Sequence, residues 1–206
     1  MKKVVLNYLV IIAILAAFTS CGGSSSSGGS GSKSSEKIKM TMEDEGKFGF
    51  GLVGSGVATV DWGDGSEKVS LTLHEVENIE YDGVLFEHTY PNASIRTITI
   101  TGDNITGLIC QRITSLDVSR CTELKQLVCN YTRLTSLVDV SKNTALTYLR
   151  CHDFNLTDAD MNVLFGMLHG NAGEKVISLA TNTGLADIDR SIAEKKGWTF
   201  IFGQRQ

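Results

Sequence analysis

The stretch ITSLDVSRCTELKQLVC, residues 113–129, returns as LTSLVDVSKNTALTYLRC at residues 134–151, with one residue inserted near Val138. Both copies carry apolar residues in an L-x-x-L-x-L cadence, which restarts at short intervals from Ile95 to Phe154. Its apolar positions are Ile95, Ile98, Ile100; Ile105, Leu108, Cys110; Ile113, Leu116, Val118; Leu124, Leu127, Cys129; Leu134, Leu137, Val140; and Leu146, Leu149, Cys151. Such self-similarity predicts a stack of repeated units, each covering the apolar face of its neighbour.

These units resemble the LTSLDVSxNTALxxLxCxxNxL repeats of bacterial leucine-rich-repeat surface proteins, and residues 113–156 carry two of them. The resemblance implies a short solenoid over residues 95–156. The chain departs from the pattern at four places, which are the shortening after Cys110, the extra residue near Val138, Cys121 where the next unit has Asn143, and Phe154 where the pattern has Asn. Because a solenoid usually needs at least about three repeats, we expect non-repeat structure to cap its ends.

Residues 1–21 have the layout of a secretory signal, in which Lys2 and Lys3 precede an apolar run that ends at Phe18, shortly before Cys21. The segment resembles a bacterial lipoprotein signal, although Phe18 stands where that signal usually has Leu. The resemblance implies that Cys21 becomes the lipidated N-terminus and that a membrane is a partner. An uncleaved anchor is the alternative, but the apolar run is shorter than the roughly 20 residues that span a bilayer.

Gly and Ser dominate residues 22–36. This composition has little to bury and a large backbone entropy, so it predicts a flexible tether. Signal and tether together predict a lipid-anchored protein of the bacterial cell envelope, at the outer membrane or cell surface. The net charge of −4 and the lack of a basic stripe argue against nucleic acid as a partner.

Residues 37–101 alternate apolar and polar side chains between Gly-containing or charged turns, which predicts short antiparallel strands. The turn VDWGDGS at residues 60–66 and the later His88-Thr89-Tyr90 resemble the marks of a PKD-type β-sandwich. The resemblance implies that Trp62 lies in the core and that the strand with His88 and Tyr90 packs beside the turn.

Three features of this region have further consequences. Asp61, Asp64 and Ser66 offer oxygens to Ca²⁺, but they fall short of the roughly six to eight ligands that this ion takes, so turn formation is the favoured role. Residues 73–85 are more acidic and irregular than the PKD pattern, which leaves the number of strands there open. Residues 95–101 fit both the alternating pattern and the repeat cadence, so we expect the two regions to share a strand layer.

Cys110, Cys129 and Cys151 occupy the last apolar position of the motif, where a small side chain fits a narrow interior. We therefore predict buried thiols. A disulfide is the alternative, because neighbouring strands lie about 4.8 Å apart, but side chains in register meet the required torsion poorly. A zinc site would need four convergent ligands at closer spacing. Cys121 is predicted to lie on a turn as a partly exposed thiol.

Residues 157–206 predict a β-α-β cap at the C-terminal end. The predicted elements are a helix from Thr157 or Asp158 through Leu168, a strand at Val176–Leu179, a turn at residues 182–184, a helix at Asp187–Lys196 ending at Gly197, and a strand at Trp198–Phe202. The run SIAEKKGW, residues 191–198, resembles the C-terminal ends of the same bacterial repeat proteins. The predicted fold is thus mainly β with a few helices: a PKD-like antiparallel region that continues into a short leucine-rich-repeat solenoid with a βαβ cap.

No catalytic constellation is evident in the sequence. The four histidines lie in separate segments, and none accompanies a G-x-S-x-G elbow. Asp117 and Asp139 are equivalent repeat positions, and turn formation explains them better than paired carboxylates for glycosidic cleavage do. No Gly-rich phosphate-binding motif is present. The sequence therefore predicts neither an enzyme nor a cofactor or metal site, and favours a binding or structural module.

Residues that alternate with the inward positions point outward from extended strands. They form three rows, which are Gly107, Ile109, Gln111; Gln126, Val128, Asn130; and Tyr148, Arg150, His152. The third row suits a ligand best, since it combines a flat phenol, a guanidinium with five donors and a titratable ring. The predicted ligand-binding residues are Tyr148, Arg150, His152, Gln126, Asn130 and the adjoining Tyr131. A solvated face without a ligand is the alternative.

The expected function is that of a non-catalytic binding or adhesion lipoprotein whose ligand is an extracellular protein or glycan. The alternative is a purely architectural or accessory lipoprotein of an envelope or glycan-uptake assembly. An outward face with aromatic and charged residues favours binding, whereas a face of uniformly small residues favours the architectural role.

Overall fold

A computed structural model describes residues 35–77, 79–152, 156–180 and 187–203. The predicted signal with Cys21, almost all of the tether, Phe154 and the turn at residues 182–184 lie outside these described residues. The described residues belong to one compact unit.

The described residues are mainly β, as predicted, with twelve strands in two sheets and three short helices. The strands are β1 (Glu36–Met42), β2 (Gly46–Ser55), β3 (Val57–Asp61), β4 (Val69–Thr72), β5 (Val84–Tyr90), β6 (Arg96–Thr101), β7 (Asn104–Cys110), β8 (Ser115–Asp117), β9 (Gln126–Asn130), β10 (Tyr148–His152), β11 (Lys175–Ala180) and β12 (Trp198–Gly203). The helices are α1 (Ile79–Asp82), α2 (Asp158–Met167) and α3 (Ser191–Glu194).

Both sheets combine strands from the alternating region with strands from the repeats. The first sheet has the antiparallel order β4-β3-β6-β1-β8, and the second has the order β12-β11-β10-β9-β7-β2-β5. In the second sheet β5, β2 and β7 are antiparallel, whereas β7, β9, β10, β11 and β12 run parallel. The prediction of a shared strand layer is therefore confirmed, since β7 pairs with β2 and β8 pairs with β1.

Because successive side chains of a strand point to opposite faces, one face of each sheet contributes its side chains to a single apolar core. Trp62 and Trp198 are buried in it, at 0% and 1% exposure. Burying such large side chains contributes about 25 cal/mol per Å² of apolar surface removed from water. The implied core position of Trp62 is thus observed.

The repeats stack in register. Leu108, Leu127 and Leu149 are direct neighbours across β7, β9 and β10. The next inward residues, Cys110, Cys129 and Cys151, stack in the same way. The turns at Asp117 and Asp139, one in each copy of the repeat, are equivalent as well. Each carboxylate accepts a hydrogen bond at 2.9 Å from the backbone N–H of the serine two residues later. The turn role predicted for these two carboxylates is confirmed.

The second copy differs from the first in one element. β8 pairs with β1 at the edge of the first sheet, but its counterpart around Leu137 forms no strand among the described residues. The inserted Val138 breaks the spacing there, and its side chain is buried instead. The irregularity expected from the insertion is therefore local.

The C-terminal segment has the predicted order, with α2 between β10 and β11 and α3 between β11 and β12. Thr157 caps α2 through its hydroxyl, which accepts from the Asp160 N–H. Lys196 donates to three carbonyls at the other end of α2, including that of Leu168 at 2.8 Å.

The predicted second helix is too long, since only Ser191–Glu194 is helical. The residues before it are held in a non-helical path, because the N–H of Asp187 donates to Asp158 and that of Asp189 donates to Asn162. No helix in the described part of the chain is both long enough and apolar enough to cross a membrane.

Candidate functional site

Parallel register brings most of the predicted ligand-binding residues together on the outward face of the second sheet. Tyr148 on β10 is the direct neighbour of Gln126 on β9, and His152 is the neighbour of Asn130. Tyr131 follows Asn130 on the turn after β9, and its side chain is 54% exposed. We call these side chains, together with Arg150, the outward patch.

Part of the outward patch is covered. Val128, the neighbour of Arg150 on β9, is 0% exposed and forms a small apolar cluster with Val53 and Ile79. Tyr148 packs against the edge of this cluster. The central row points outward as predicted, but it is not open to solvent at Val128, because the irregular segment that contains α1 folds back over the sheet. Its sequence carried no strand pattern that would have placed Ile79 there.

His152 is only 5% exposed and belongs to a polar chain within the patch. Its Nδ1 lies 3.3 Å from Nη2 of Arg150, and its Nε2 lies 3.2 Å from Oγ of Ser178. A guanidinium can only donate, so Nδ1 accepts and Nε2–H donates to the Ser178 hydroxyl. The ring therefore orients Arg150. Although His152 lies in the outward row as predicted, its ring offers little surface to a ligand.

The ends of β7 and β9 form a rim next to the patch. Arg112 and Tyr131 both have left-handed backbone, at φ 56° and 51°. The Arg112 N–H donates to the Tyr131 carbonyl at 3.1 Å, and the Tyr131 N–H donates to the His152 carbonyl at 3.0 Å. A left-handed conformation costs a residue with a Cβ about 1–2 kcal/mol, so this rim carries two bulky side chains where Gly or Asn would be more stable.

An ionic contact adjoins the rim and was not predicted from the sequence. Asp44, in the loop between β1 and β2, bonds Arg133 directly and lies 3.9 Å from Nη1 of Arg112. Arg112 also donates to the Lys47 carbonyl at 2.5 Å, and its guanidinium lies over the Phe48 ring. No local pattern could have found this cluster, because Asp44 and Arg133 are 89 residues apart in the chain.

The cysteines are core residues. Cys110 and Cys129 bring their sulfurs to 3.6 Å, and all four described cysteines are free and buried. The hydrogen bond with Cys110, together with burial, raises the pKa of the Cys129 thiol well above its usual range. The predicted buried thiols are thus confirmed at the repeat positions.

The prediction of a partly exposed Cys121 is wrong. This residue is 0% exposed, and its thiol donates to the Ile105 carbonyl at 3.3 Å. Burial raises the pKa of Cys121 to about 12. The turn that carries it folds inward, as does the equivalent turn with Asn143, so the residue at this position faces the core.

Two aspartates and two histidines outside the outward patch have hydrogen bonds that serve the fold. Asp61 and Asp64 each accept a backbone N–H from two residues later, which is the turn role favoured above. His74 and His169 bond backbone carbonyls. Across the described residues, no three His, Cys, Asp or Glu side chains lie together as a metal site.

His88 closes the corner at Trp62 to Ser66. Its Nε2 lies 2.7 Å from Oδ2 of Asp64, and its ring stacks on Trp62 with centroids 5.0 Å apart. The Tyr90 hydroxyl donates to the Trp62 carbonyl at 2.9 Å. The expected packing of the His88 strand beside the turn is therefore observed.

Acid should weaken this corner, because hydrogen bonds from Ser66, and then from His88, hold the pKa of Asp64 well below its usual range. A carboxyl whose pKa is lowered by folding stabilises the folded protein at pH values above its unfolded pKa of about 3.9. That stabilisation is lost as the pH falls from there through the pKa of the folded state. We expect Asp64→Asn to flatten the loss of unfolding free energy between about pH 5 and pH 2. Urea unfolding across this range measures it. The exposed Asp103→Asn serves as the control, and an unchanged acid slope in Asp64→Asn would contradict the assignment.

Comparison of the chain with protein-family models, with curated proteins and with solved structures gave no match.

Proposed function

We propose that this chain is a lipoprotein of the bacterial cell envelope that binds an extracellular protein or glycan, without catalysis, through the outward patch and its rim. The signal-like residues 1–21 and the Gly/Ser-rich residues 22–36 support an anchor at Cys21 followed by a spacer. The bound partner would then lie outside the membrane that holds the lipid.

We further infer that residues 95–156 are a short leucine-rich-repeat solenoid and that residues 37–101 are a PKD-like sandwich. The solenoid is supported by the in-register stacks of inward Leu and Cys on β7, β9 and β10 and by the matched Asp117 and Asp139 turns. The sandwich is supported by the packing of Trp62, Asp64 and His88 at the sequence marks that suggested it.

One observation carries the binding proposal: β9 and β10 present polar and aromatic side chains on one face of the sheet, next to the exposed Tyr131. Amides at Gln126 and Asn130 can donate and accept, Arg150 donates, and Tyr131 offers a flat face. This combination suits sugar hydroxyls or an extended peptide. Three rows of about three residues cover roughly 150 Å², well below the roughly 800 Å² per partner of a standard protein interface. A short glycan bound weakly fits this area better than a folded protein.

Two observations support the architectural alternative. Val128 is covered and His152 is buried, and both remove part of the predicted face from solvent. Binding measurements decide between the two functions.

A first experiment tests binding. The chain without residues 1–34, which keeps β1 whole, is screened against glycans and extracellular proteins, and replacement of Tyr148, Arg150 and His152 by Ala should weaken binding of the identified ligand by at least about tenfold. The matched control is Val163→Ala, which removes an exposed apolar side chain from α2. Circular dichroism verifies that the triple variant is folded. Unchanged affinity in a folded variant would place the site elsewhere.

A second experiment tests the anchor. Cys21→Ala removes the thiol that lipidation requires, so we expect the protein to leave the membrane fraction, because a lipid chain contributes about 0.8 kcal/mol per buried CH₂. Fractionation and the mass of the N-terminal peptide measure this. Recovery of variant and parent in the same membrane fraction, with no lipid mass on the parent, would contradict the proposal.

A further inference from the structure

The outer edge of β12 is open. β12 is the last strand of the second sheet, and its inner side pairs with β11 in continuous register, from Trp198 beside Lys175 to Gly203 beside Ala180. Within the described part of the chain, no strand pairs with its outer side. An unpaired strand edge presents a row of backbone N–H and C=O groups that can bind another strand.

The other three edge strands of the described residues have features that discourage pairing. β4 has four residues and β8 has three, so each offers few backbone groups to a partner. β5 has seven residues, but Glu87 lies at its middle and bonds Lys47 on β2 at 2.8 Å, which places charges at that edge. β12, in contrast, has six residues with no charge, no proline and no bulge.

Large apolar side chains flank the open edge on both faces of the sheet. Ile201 lies on the outward face, in register with Ser178, and is 49% exposed. Phe202 lies on the opposite face and is 48% exposed, although the Arg190 guanidinium lies 5.5 Å from its ring centroid. The partly exposed Phe200 stacks beside it, with the two ring centroids 6.5 Å apart. A strand added at this edge would remove apolar surface from water on both faces.

The sequence of β12 fits an antiparallel pairing with itself. Residues directly opposite each other in an antiparallel pair point to the same face of the sheet. A two-fold axis perpendicular to the sheet at Ile201 therefore places this residue opposite its own copy, and each Phe200 opposite the Phe202 of the other copy. Aromatic and β-branched pairs of this kind stabilise neighbouring strands. No like charges meet within the paired strands, because β12 has none.

We propose that β12 is a self-association surface, where a second copy of the chain adds its own β12 antiparallel and joins two seven-stranded sheets into one. A two-fold contact covers both open edges at once, whereas a head-to-tail contact or an unrelated strand leaves a new edge unpaired. This inference goes beyond ligand binding at the outward patch, which is centred on β9 and β10.

The small size of the contact sets its strength. Six residues span only about 20 Å of strand, so the interface is well below the roughly 800 Å² per partner of a standard complex. We expect a reversible dimer with a Kd between about 10 μM and 1 mM.

Sedimentation velocity of the chain without residues 1–34, which keeps every described residue, tests the dimer between about 10 μM and 1 mM. We expect Ile201→Lys to weaken dimerisation at least about tenfold, because two lysines would face each other at the axis. The control Val163→Lys adds the same charge at a valine on α2 that is 52% exposed, and should leave the dimer unchanged. A monomer at every concentration, or equal weakening by both variants, would overturn the proposal.

Cross-linking tests the register without adding charge to the edge. A short bismaleimide should join two copies of Ile201→Cys, because the Cβ atoms of opposed residues lie about 4.5–5.5 Å apart. In Thr199→Cys the introduced thiols would be four residues apart along the strands, roughly 14 Å, and should cross-link at least about tenfold more slowly. The parent chain is the blank, since its described cysteines are buried. Equal rates in the two variants, or a series of larger oligomers instead of a dimer, would overturn the two-fold pairing.

Discussion

Replacing Gly63 with alanine should destabilise the protein by about 3 kcal/mol or more. Gly63 has φ +75°, and a Cβ built there would lie 2.3 Å from the carbonyl oxygen of Thr97 on β6. The substitution thus combines the cost of a left-handed alanine, about 1–2 kcal/mol, with a clash against backbone that cannot rotate away. The corner that joins Trp62 to Asp64 would have to shift.

Gly65 provides the matched control in the same turn. It also has a positive φ, at +82°, but a Cβ built there meets nothing within 4 Å. Gly65→Ala should therefore cost only the conformational part, about 1–2 kcal/mol. The difference between the two variants isolates the clash with Thr97.

Urea unfolding of both variants, in the chain without residues 1–21, gives the two free energies directly. Equal losses in Gly63→Ala and Gly65→Ala would mean that β6 yields without cost, and would contradict the close approach. A change in the denaturant slope would point to an altered denatured state instead.

The sequence was most informative in the repeats, where the alternation of side chains along each strand determines which residues point inward. The cadence from Leu108 to Cys151 predicted which residues stack inward, because strand alternation leaves no other choice. The matched turns at Asp117 and Asp139 followed for the same reason, since a carboxylate before a turn bonds the N–H two residues later.

The errors lie where long-range contacts decide exposure. Val128 has the correct direction, but Ile79 covers it from a segment with no periodic pattern. Cys121 sits on a turn, as expected, yet the turn faces the core. The contact between Asp44 and Arg133 joins the loop between β1 and β2 to the segment after β9, and these residues are 89 positions apart in the chain. Local sequence carries no signal for such contacts.

Asn143 is a buried polar residue whose loss should be costly. It is 0% exposed, and its amide donates to the carbonyls of Val118 at 3.0 Å and Cys121 at 2.7 Å in the preceding repeat. Each carbonyl also accepts one backbone N–H, so Asn143→Ala leaves them partly satisfied. Two lost hydrogen bonds, at about 1 kcal/mol each, and the space left behind give an expected loss of roughly 2–3 kcal/mol.

Two further variants make this expectation specific. Asn171→Ala removes an exposed amide that donates to one backbone carbonyl, that of Thr144 at 3.0 Å, and should cost less than about 1 kcal/mol because water replaces the lost bond. Asn143→Cys copies Cys121, the residue at the same position of the first unit, and its single weak donor should leave an intermediate loss. Urea unfolding ranks the three variants. If Asn143→Ala is no more destabilised than Asn171→Ala, the amide does not tie the second repeat to the first, and the stacked side chains of β9 and β10 alone hold the repeats together.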